Sequence, residues 1–517
     1  MTQPASTGLS HRQFVVNVAA NGCFFALSIV IGLWYTPYVI RHLGVAVYGL
    51  IPLASSITNY LSVITVAVSG SVGRFITMDV ARGDYADANR TFNTFLLSSL
   101  ILAGGLFILA LGFAYATPYL FNVPAGEQTQ VRWLFLSVMG VFLLSMVTYN
   151  FDAAIWATSR FEIRSLLDGI GLLLRVGVVV AFFSLVKPQL WHVSLGIVIA
   201  GIVWSGGHVW AWRRLTPYLS IRASDVDRSK LPELFYTSRW LLVGQFGVIL
   251  CMNMDLALAN IMLGATLAGS YAPVLQWLTL LRNMCALVGG VLAPSIVSFY
   301  ARDEYDGMIR LSRQTMKFLG LLAALPIGLL CGLGKPALVT WLGPSFASIA
   351  PIVWVILLPM AIEACALPLS SIVLAVNRVR GMAFATLGTG LLNVGLAVLL
   401  TEQFHWGLYG VAAAGAFASL CKHAGFFPLY SASIINRPRL TFLKEDGKIL
   451  VITLATALIS WWASPLIHGR SWRELILVAV SIAVPWTVVM YFIALNAADR
   501  QTLRKLLFQT ILKRPAE

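Results

Sequence analysis

A chain of 517 residues that is 58% hydrophobic and only 11% charged, with a mean hydropathy of +0.81, carries more apolar surface than a soluble core can hide. That excludes a soluble fold and leaves an all-α polytopic membrane protein as the expected class. The net charge of +15 reads as inner-face topology and attraction to anionic lipid, not as nucleic-acid binding.

Stretches of about 20 apolar residues, enough to cross the hydrocarbon core, fall near 14–40, 45–69, 93–117, 131–155, 166–186, 192–212, 236–262, 268–298, 314–334, 347–374, 381–401, 407–430, 448–466 and 472–495. This predicts about fourteen transmembrane helices, since lipid offers backbone amides no partner and the stretches are too long and too uniformly apolar for barrel strands. The first exceeds a signal-peptide apolar region and contains Asn17 and Asn21, so it is expected to be retained. With the N-terminus inside, 28 of the 36 Lys and Arg fall in cytoplasmic segments, including Lys422. Six fall outside and two, Arg175 and Arg282, within helices. Both termini are thus expected to be cytoplasmic. The six cysteines sit in apolar segments without ligand spacing and read as small buried hydrophobes, which implies no metal site. The histidines, and Trp34, Trp133, Trp191, Trp210, Trp341 and Trp472, cluster toward helix ends as interfacial residues would.

The polar decapeptide ARGDYADANR at 81–90 returns as ARDEYDGMIR at 301–310. At the same offset of 220, Gly44, Gly49, Gly70, Tyr85 and Arg90 meet Gly264, Gly269, Gly290, Tyr305 and Arg310, and at 218, Arg160 meets Arg378. A shift of six spans preserves membrane direction. The expected organisation is therefore two parallel six-helix repeats, 1–212 and 236–430, joined by a cytoplasmic linker at 213–235. Two further helices and a tail follow over 431–517, and a substrate path runs between the repeats.

Polar residues at membrane depth mark candidate sites. Ser55, Thr58, Asn59, Ser62, Thr65 and Ser69 recur at spacings of three and four along the second stretch, as a cavity lining or as interhelical hydrogen-bonding residues. The eighth stretch carries Gln276, Thr279, Arg282 and Asn283. A buried charge costs about 2.5–3.5 kcal/mol on insertion scales, which singles out Arg175, Asp255, Arg282 and Glu363. The guanidinium fork suits phosphate oxygens, so Arg175 and Arg282 are candidate diphosphate contacts; the alternative is structural pairing with Asp255 and Glu363. The two acids are candidates for proton or cation coupling. Asp152, Glu162 and Asp168 read as solvated residues near a helix end.

No GxxxxGK[ST], HExxH or Ser, His and Asp arrangement is present, and the longest polar connection, 213–235, is too short for a catalytic or ATP-binding domain. The expectation is a non-enzyme without cofactor, driven by an ion gradient, the membrane potential or removal of product. HLGVAVYG, ARGDYADANR, MDLALANIMLGATLAGSY, WLGPSFASIAPIVWVILLP and LAVNRVRG together resemble the Wzx-type polysaccharide-transporter flippases of the multidrug, oligosaccharidyl-lipid and polysaccharide (MOP) exporter superfamily. That resemblance covers nearly the whole chain. It implies V-shaped six-helix lobes in a bacterial inner membrane that flip undecaprenyl-diphosphate-linked oligosaccharide, such as an O-antigen or exopolysaccharide repeat unit, by alternating access. A polysaccharide polymerase and chain-length machinery are the implied partners. By the same resemblance, Arg282 and the second-stretch hydroxyls are cavity residues. Three alternatives stay open. They are a cation-coupled drug antiporter, disfavoured by Asn17 and Asn21 where an acid is usual; a peptidoglycan-precursor flippase, disfavoured by the lack of a mid-depth arginine in the first three stretches; and a membrane glycan polymerase or ligase, disfavoured by short external loops.

Overall fold

The structure, a computed structural model, describes residues 11–227, 231–468, 471–496 and 499–500. Among these every regular element is helical and no strand occurs. In chain order the helices are α1 (His11–Leu43), α2 (Val45–Ala81), α3 (Tyr85–Leu120), α4 (Gln128–Thr158), α5 (Phe161–Leu185), α6 (Leu190–Leu215), α7 (Leu231–Met252), α8 (Met254–Leu263) and α9 (Ala265–Ala301). They continue with α10 (Tyr305–Gly332), α11 (Gly334–Leu342), α12 (Ala350–Ala375), α13 (Val379–Glu402), α14 (Leu408–Leu420), α15 (Phe427–Ile434), α16 (Leu443–Ala463) and α17 (Trp472–Ile493).

Eleven of these are long and apolar enough to cross a membrane, and twelve if α7 and α8, bent by 45° at their junction, form one span. The protein is a multi-pass, all-helical membrane protein. The count departs from fourteen at two stretches. Near 45–69 α2 runs on to Ala81, but the side chains just beyond Leu61 lie outside the described residues, so only its apolar part Val45–Leu61 is described. Near 407–430 the helix changes pitch: α14 passes into a π-helical turn, Cys421–Phe426, before α15.

The chain divides into two compact units, one running to Phe246 and including Ala259–Gly269, the other Gly247–Leu258 with Ser270 onward. The division falls inside α7 and not in the expected linker at 213–235. The first part of that segment is sewn onto α3. Asn89 Oδ1 accepts from the Ser220 amide, Asn93 Oδ1 from the Arg222 amide and Thr94 Oγ1 from the Asp227 amide, each at 2.8 Å. Asn93 Nδ2 also donates to Ser220 O at 2.8 Å. Side-chain amides here satisfy a backbone that has no helix of its own.

The repeated decapeptides make the same turn. α2 ends at Ala81 and α3 begins at Tyr85; α9 ends at Ala301 and α10 begins at Tyr305. Gly83 and Asp303 occupy the left-handed region at φ 77° and 58°. At the 218 offset, Ser159 and Asn377 do so at φ 54° and 55°, before α5 and α13.

In the N-terminal unit, Gly49 of α2 lies against Gly269 of α9, so that a Cβ on Gly269 would sit 2.1 Å from Val45 O. α8 is tied to the loop after α3, where the Asn122 amide donates to Asn260 Oδ1 at 2.8 Å and Asn122 Nδ2 to Asn260 O at 2.6 Å. In the C-terminal unit, α12 is the most enclosed helix. α10 packs its Gly320, Gly328 and Gly332 against Ile449, Thr456 and Ser460 of α16, the small-residue contact that lets membrane helices approach closely.

Burial corrects several interfacial expectations. Trp34, Trp133, Trp191, Trp210 and Trp472 are exposed, but Trp341 is buried and stacks on Trp277 with ring centroids 5.5 Å apart. His192, His208 and Asp152 are buried, and so is Lys422, counted above among the cytoplasmic charges. Of the cysteines, Cys285, Cys331 and Cys365 are buried, whereas Cys23 is exposed.

Gly269→Ala should lower the thermal stability of the purified protein by about 1–3 kcal/mol, the usual range for overpacking, because its clash is with backbone. Gly104→Ala, where no atom of the described residues lies within 4 Å of an added Cβ, should leave the melting temperature unchanged or raise it. Equal melting of the two variants in a detergent thermal scan would contradict the close crossing.

Candidate functional site

The best-defined polar site lies wholly inside the C-terminal unit and starts from a broken helix. In the last turn of α7, where helical carbonyls run out of amide partners, the carbonyl of Leu250 accepts from Asn393 Nδ2 of α13 at 3.0 Å. The same amide nitrogen donates to Asp255 Oδ1 at 3.0 Å. Asp255 stands in the first turn of α8, where the helix dipole favours a negative charge, and is 9% exposed. Gly415 of α14 leaves room beside it, since a Cβ there would lie 3.2 Å from Asp255 Oδ2.

Arg282 comes from the middle of α9 and Glu363 from the middle of α12. Nε donates to Oε1 at 2.7 Å and Nη2 to Oε2 at 3.0 Å, a two-pronged fork that satisfies both oxygens of a buried carboxylate. The π-helical turn adds two groups. Its wider pitch turns the consecutive residues Lys422 and His423 inward, and both are buried. His423 Nδ1 lies 3.0 Å from Ser419 O and its ring stacks on Phe427, centroids 5.7 Å apart, while Lys422 Nζ stands 5.9 Å from the same ring.

Asp255, Arg282, Glu363, Lys422 and His423 line one cavity of about 40 Å³, together with the buried Tyr271. That is room for about three water molecules. The lining sets three basic side chains, Arg282, Lys422 and His423, beside two acids, Asp255 and Glu363.

The cavity brings together three of the residues singled out by sequence, Arg282, Glu363 and Asp255. The alternative reading of structural pairing holds for Arg282 with Glu363; Asp255 instead pairs with Asn393. Thr279 and Asn283 flank Arg282 on α9 but are exposed, and the Thr279 hydroxyl donates to its own helix at Leu275 O, 2.9 Å. The remaining candidates belong to the N-terminal unit. Arg175 is half-buried on α5, with its Nε enclosed and without a hydrogen-bond partner among the described residues. Ser55 donates to Ile51 O at 3.2 Å and Asn59 is exposed; the side chain of Ser62 lies outside the described residues.

Sequence reasoning missed Lys422, His423 and Asn393. Nothing in the spacing announces a π turn, and Asn393 becomes visible only once α7 is known to break opposite it.

This is the fold of MOP-type flippases and transporters. The structure titled lipid II flippase MurJ, inward closed conformation, superposes with a TM-score of 0.65 at 15% identity, covering 91% of this chain and 98% of that one. An inward-facing multidrug resistance MATE family transporter of the MOP superfamily gives 0.56 at 14% identity, over 87% and 97%. No family model matches the chain. The chain is 32% identical over 497 residues, 95% of its length and 98% of the other's, to the uncharacterized membrane protein EpsK of Bacillus subtilis (strain 168). The chain belongs to the EpsK family.

Removing one partner of a buried ion pair costs about 3–5 kcal/mol, because the other charge stays behind unpaired. Glu363→Gln and Arg282→Met should each destabilise the protein by about that amount, and the double variant by less than the sum. A double-mutant cycle with additive losses would contradict the fork.

Proposed function

We propose that the protein is a flippase for a lipid-linked oligosaccharide with an undecaprenyl-diphosphate anchor, carried from the inner to the outer leaflet of a bacterial inner membrane by alternating access. The observation that carries this reading is the pairing of two basic side chains, the half-buried Arg282 and the buried Lys422, on one cavity in a membrane-embedded unit. A diphosphate presents the same planar, two-oxygen face to a guanidinium as a carboxylate does. Glu363 thus acts as a stand-in, holding Arg282 in fork geometry until the diphosphate replaces it. A cavity with room for about three waters cannot admit a head group of this size, so loading requires the site to open, as alternating access demands.

The name of the MurJ structure, a lipid II flippase, supports a lipid-linked glycan over a small cation as the class of cargo. In this reading Arg175 is a second contact for the diphosphate, and Ser55, Asn59, Ser62, Thr279 and Asn283 contact sugar. Asp255, held by Asn393, and Glu363 are the groups whose charge a coupling proton or cation would neutralise. A polysaccharide polymerase and chain-length machinery would then take the product at the outer face.

In proteoliposomes the purified protein should move an undecaprenyl-diphosphate oligosaccharide between leaflets without moving a cationic dye. Arg282→Ala, inserted at the wild-type level, should slow flipping by about tenfold or more, the equivalent of losing a single charge-assisted contact. Dye efflux driven by a sodium or proton gradient, with no flipping, would overturn the reading in favour of a cation antiporter.

A further inference from the structure

A second buried charge cluster lies in the N-terminal unit, away from every residue assigned above. Asp152 of α4 and His208 of α6 are 3% and 0% exposed. Asp152 Oδ2 accepts from Trp156 Nε1 and from Arg164 Nη1 of α5, both at 3.2 Å. Its other oxygen, Oδ1, faces His208 Nε2 at 3.6 Å, and neither atom has a hydrogen-bond partner among the described residues.

The opposite ring nitrogen decides what this facing pair requires. His208 Nδ1 lies 3.0 Å from the carbonyl of Trp204, one turn earlier on α6. A carbonyl only accepts, so Nδ1 carries a hydrogen. In a neutral ring Nε2 then bears a lone pair, aimed at a carboxylate oxygen across 3.6 Å. Two buried acceptors do not face each other without a donor between them. A water donating to both would have to hold two hydrogen bonds of about 2.8 Å at about 80° to each other, well short of its own H–O–H angle, so it makes a poor bridge.

We propose that Asp152 and His208 form a proton-binding site, with one proton held between Oδ1 and Nε2, either as imidazolium facing carboxylate or as carboxylic acid facing imidazole. The pair stays closed as long as α4 and α6 stay packed at this level, where Thr148 Oγ1 donates to Ser205 Oγ at 3.0 Å. A motion that parts the two helices there changes the number of protons the unit holds.

The neighbours are accounted for on each side. α5 brings Arg164 to Asp152, and its Asp168 accepts from Trp204 Nε1 at 2.8 Å. On α4, Tyr149 lies within electrostatic reach of Arg164, Asp152 and Asp168. α3 contributes the neutral Ser99, which accepts from Asn150 at 3.0 Å, and α2 contributes Asp79, to which Thr91 donates at 3.4 Å. The site depends on none of the cavity residues of the C-terminal unit and on no particular cargo.

The test is nitrogen NMR of the full-length protein, with ¹⁵N-labelled histidine, in lipid bilayers near neutral pH. Among the seven histidines, His208 is assigned by the signal lost in His208→Gln. If that variant does not fold, it is assigned by the signal that moves in Asp152→Asn, whose side chain keeps the shape of the acid. The expected result is a His208 ring with both nitrogens protonated, or an Nε2 accepting from a carboxylic acid whose infrared band vanishes in Asp152→Asn. In that variant the ring should become neutral, with Nε2 accepting from the amide. A wild-type His208 with a bare Nε2 and no Asp152 carboxylic band would overturn the proposal, as would a ring spectrum indifferent to Asp152→Asn.

Discussion

An unpaired charge has no stable place at membrane depth, and the Arg282–Glu363 fork is how this protein keeps two of them there. The fork joins α9 to α12, the most enclosed helix of its unit, through two hydrogen bonds at 2.7 and 3.0 Å. Around it the local irregularities have a common rationale. A carbonyl in the last turn of α7 recruits Asn393, Asn393 holds Asp255, and a π turn swings Lys422 and His423 to the same cavity. Irregular backbone inside a membrane protein survives where protein groups or enclosed water satisfy it. Here each irregularity delivers a polar side chain to one small volume.

Much of the fold was legible. Hydropathy alone gave helices without strands, because apolar surroundings leave the backbone few options, and the repeat at an offset of 220 was readable because turn chemistry is local. Gly83 and Asp303 share a left-handed backbone that the surrounding decapeptides encode. Division into units was less legible. A polar stretch at 213–235 looks like a linker by composition, but Asn89 and Asn93 bind its backbone, and a hydrogen-bonding side chain on a helix looks the same in sequence whether it faces water or a neighbouring segment.

The site was legible in its charges and illegible in its partners. Arg282, Glu363 and Asp255 stood out because each is costly where it sits. Which of them pair depends on how each helix is rotated about its axis, which hydropathy does not specify. Lys422 was misread for a definite reason. A lysine following an apolar run normally marks the cytoplasmic edge, and only the extra residue of a π turn carries this one back into the interior.

The strap from Ser220 to Asp227 has a practical consequence. It is part of the longest polar connection in the chain and on composition would be the natural place to insert a tag, a reporter domain or a protease site. Its amides at Ser220, Arg222 and Asp227 are already committed to side chains of α3. An insertion there would unpick the stitching one residue at a time and free the inward-turned carboxamides of Asn89 and Asn93. In this protein hydrophilicity is therefore a poor guide to dispensability.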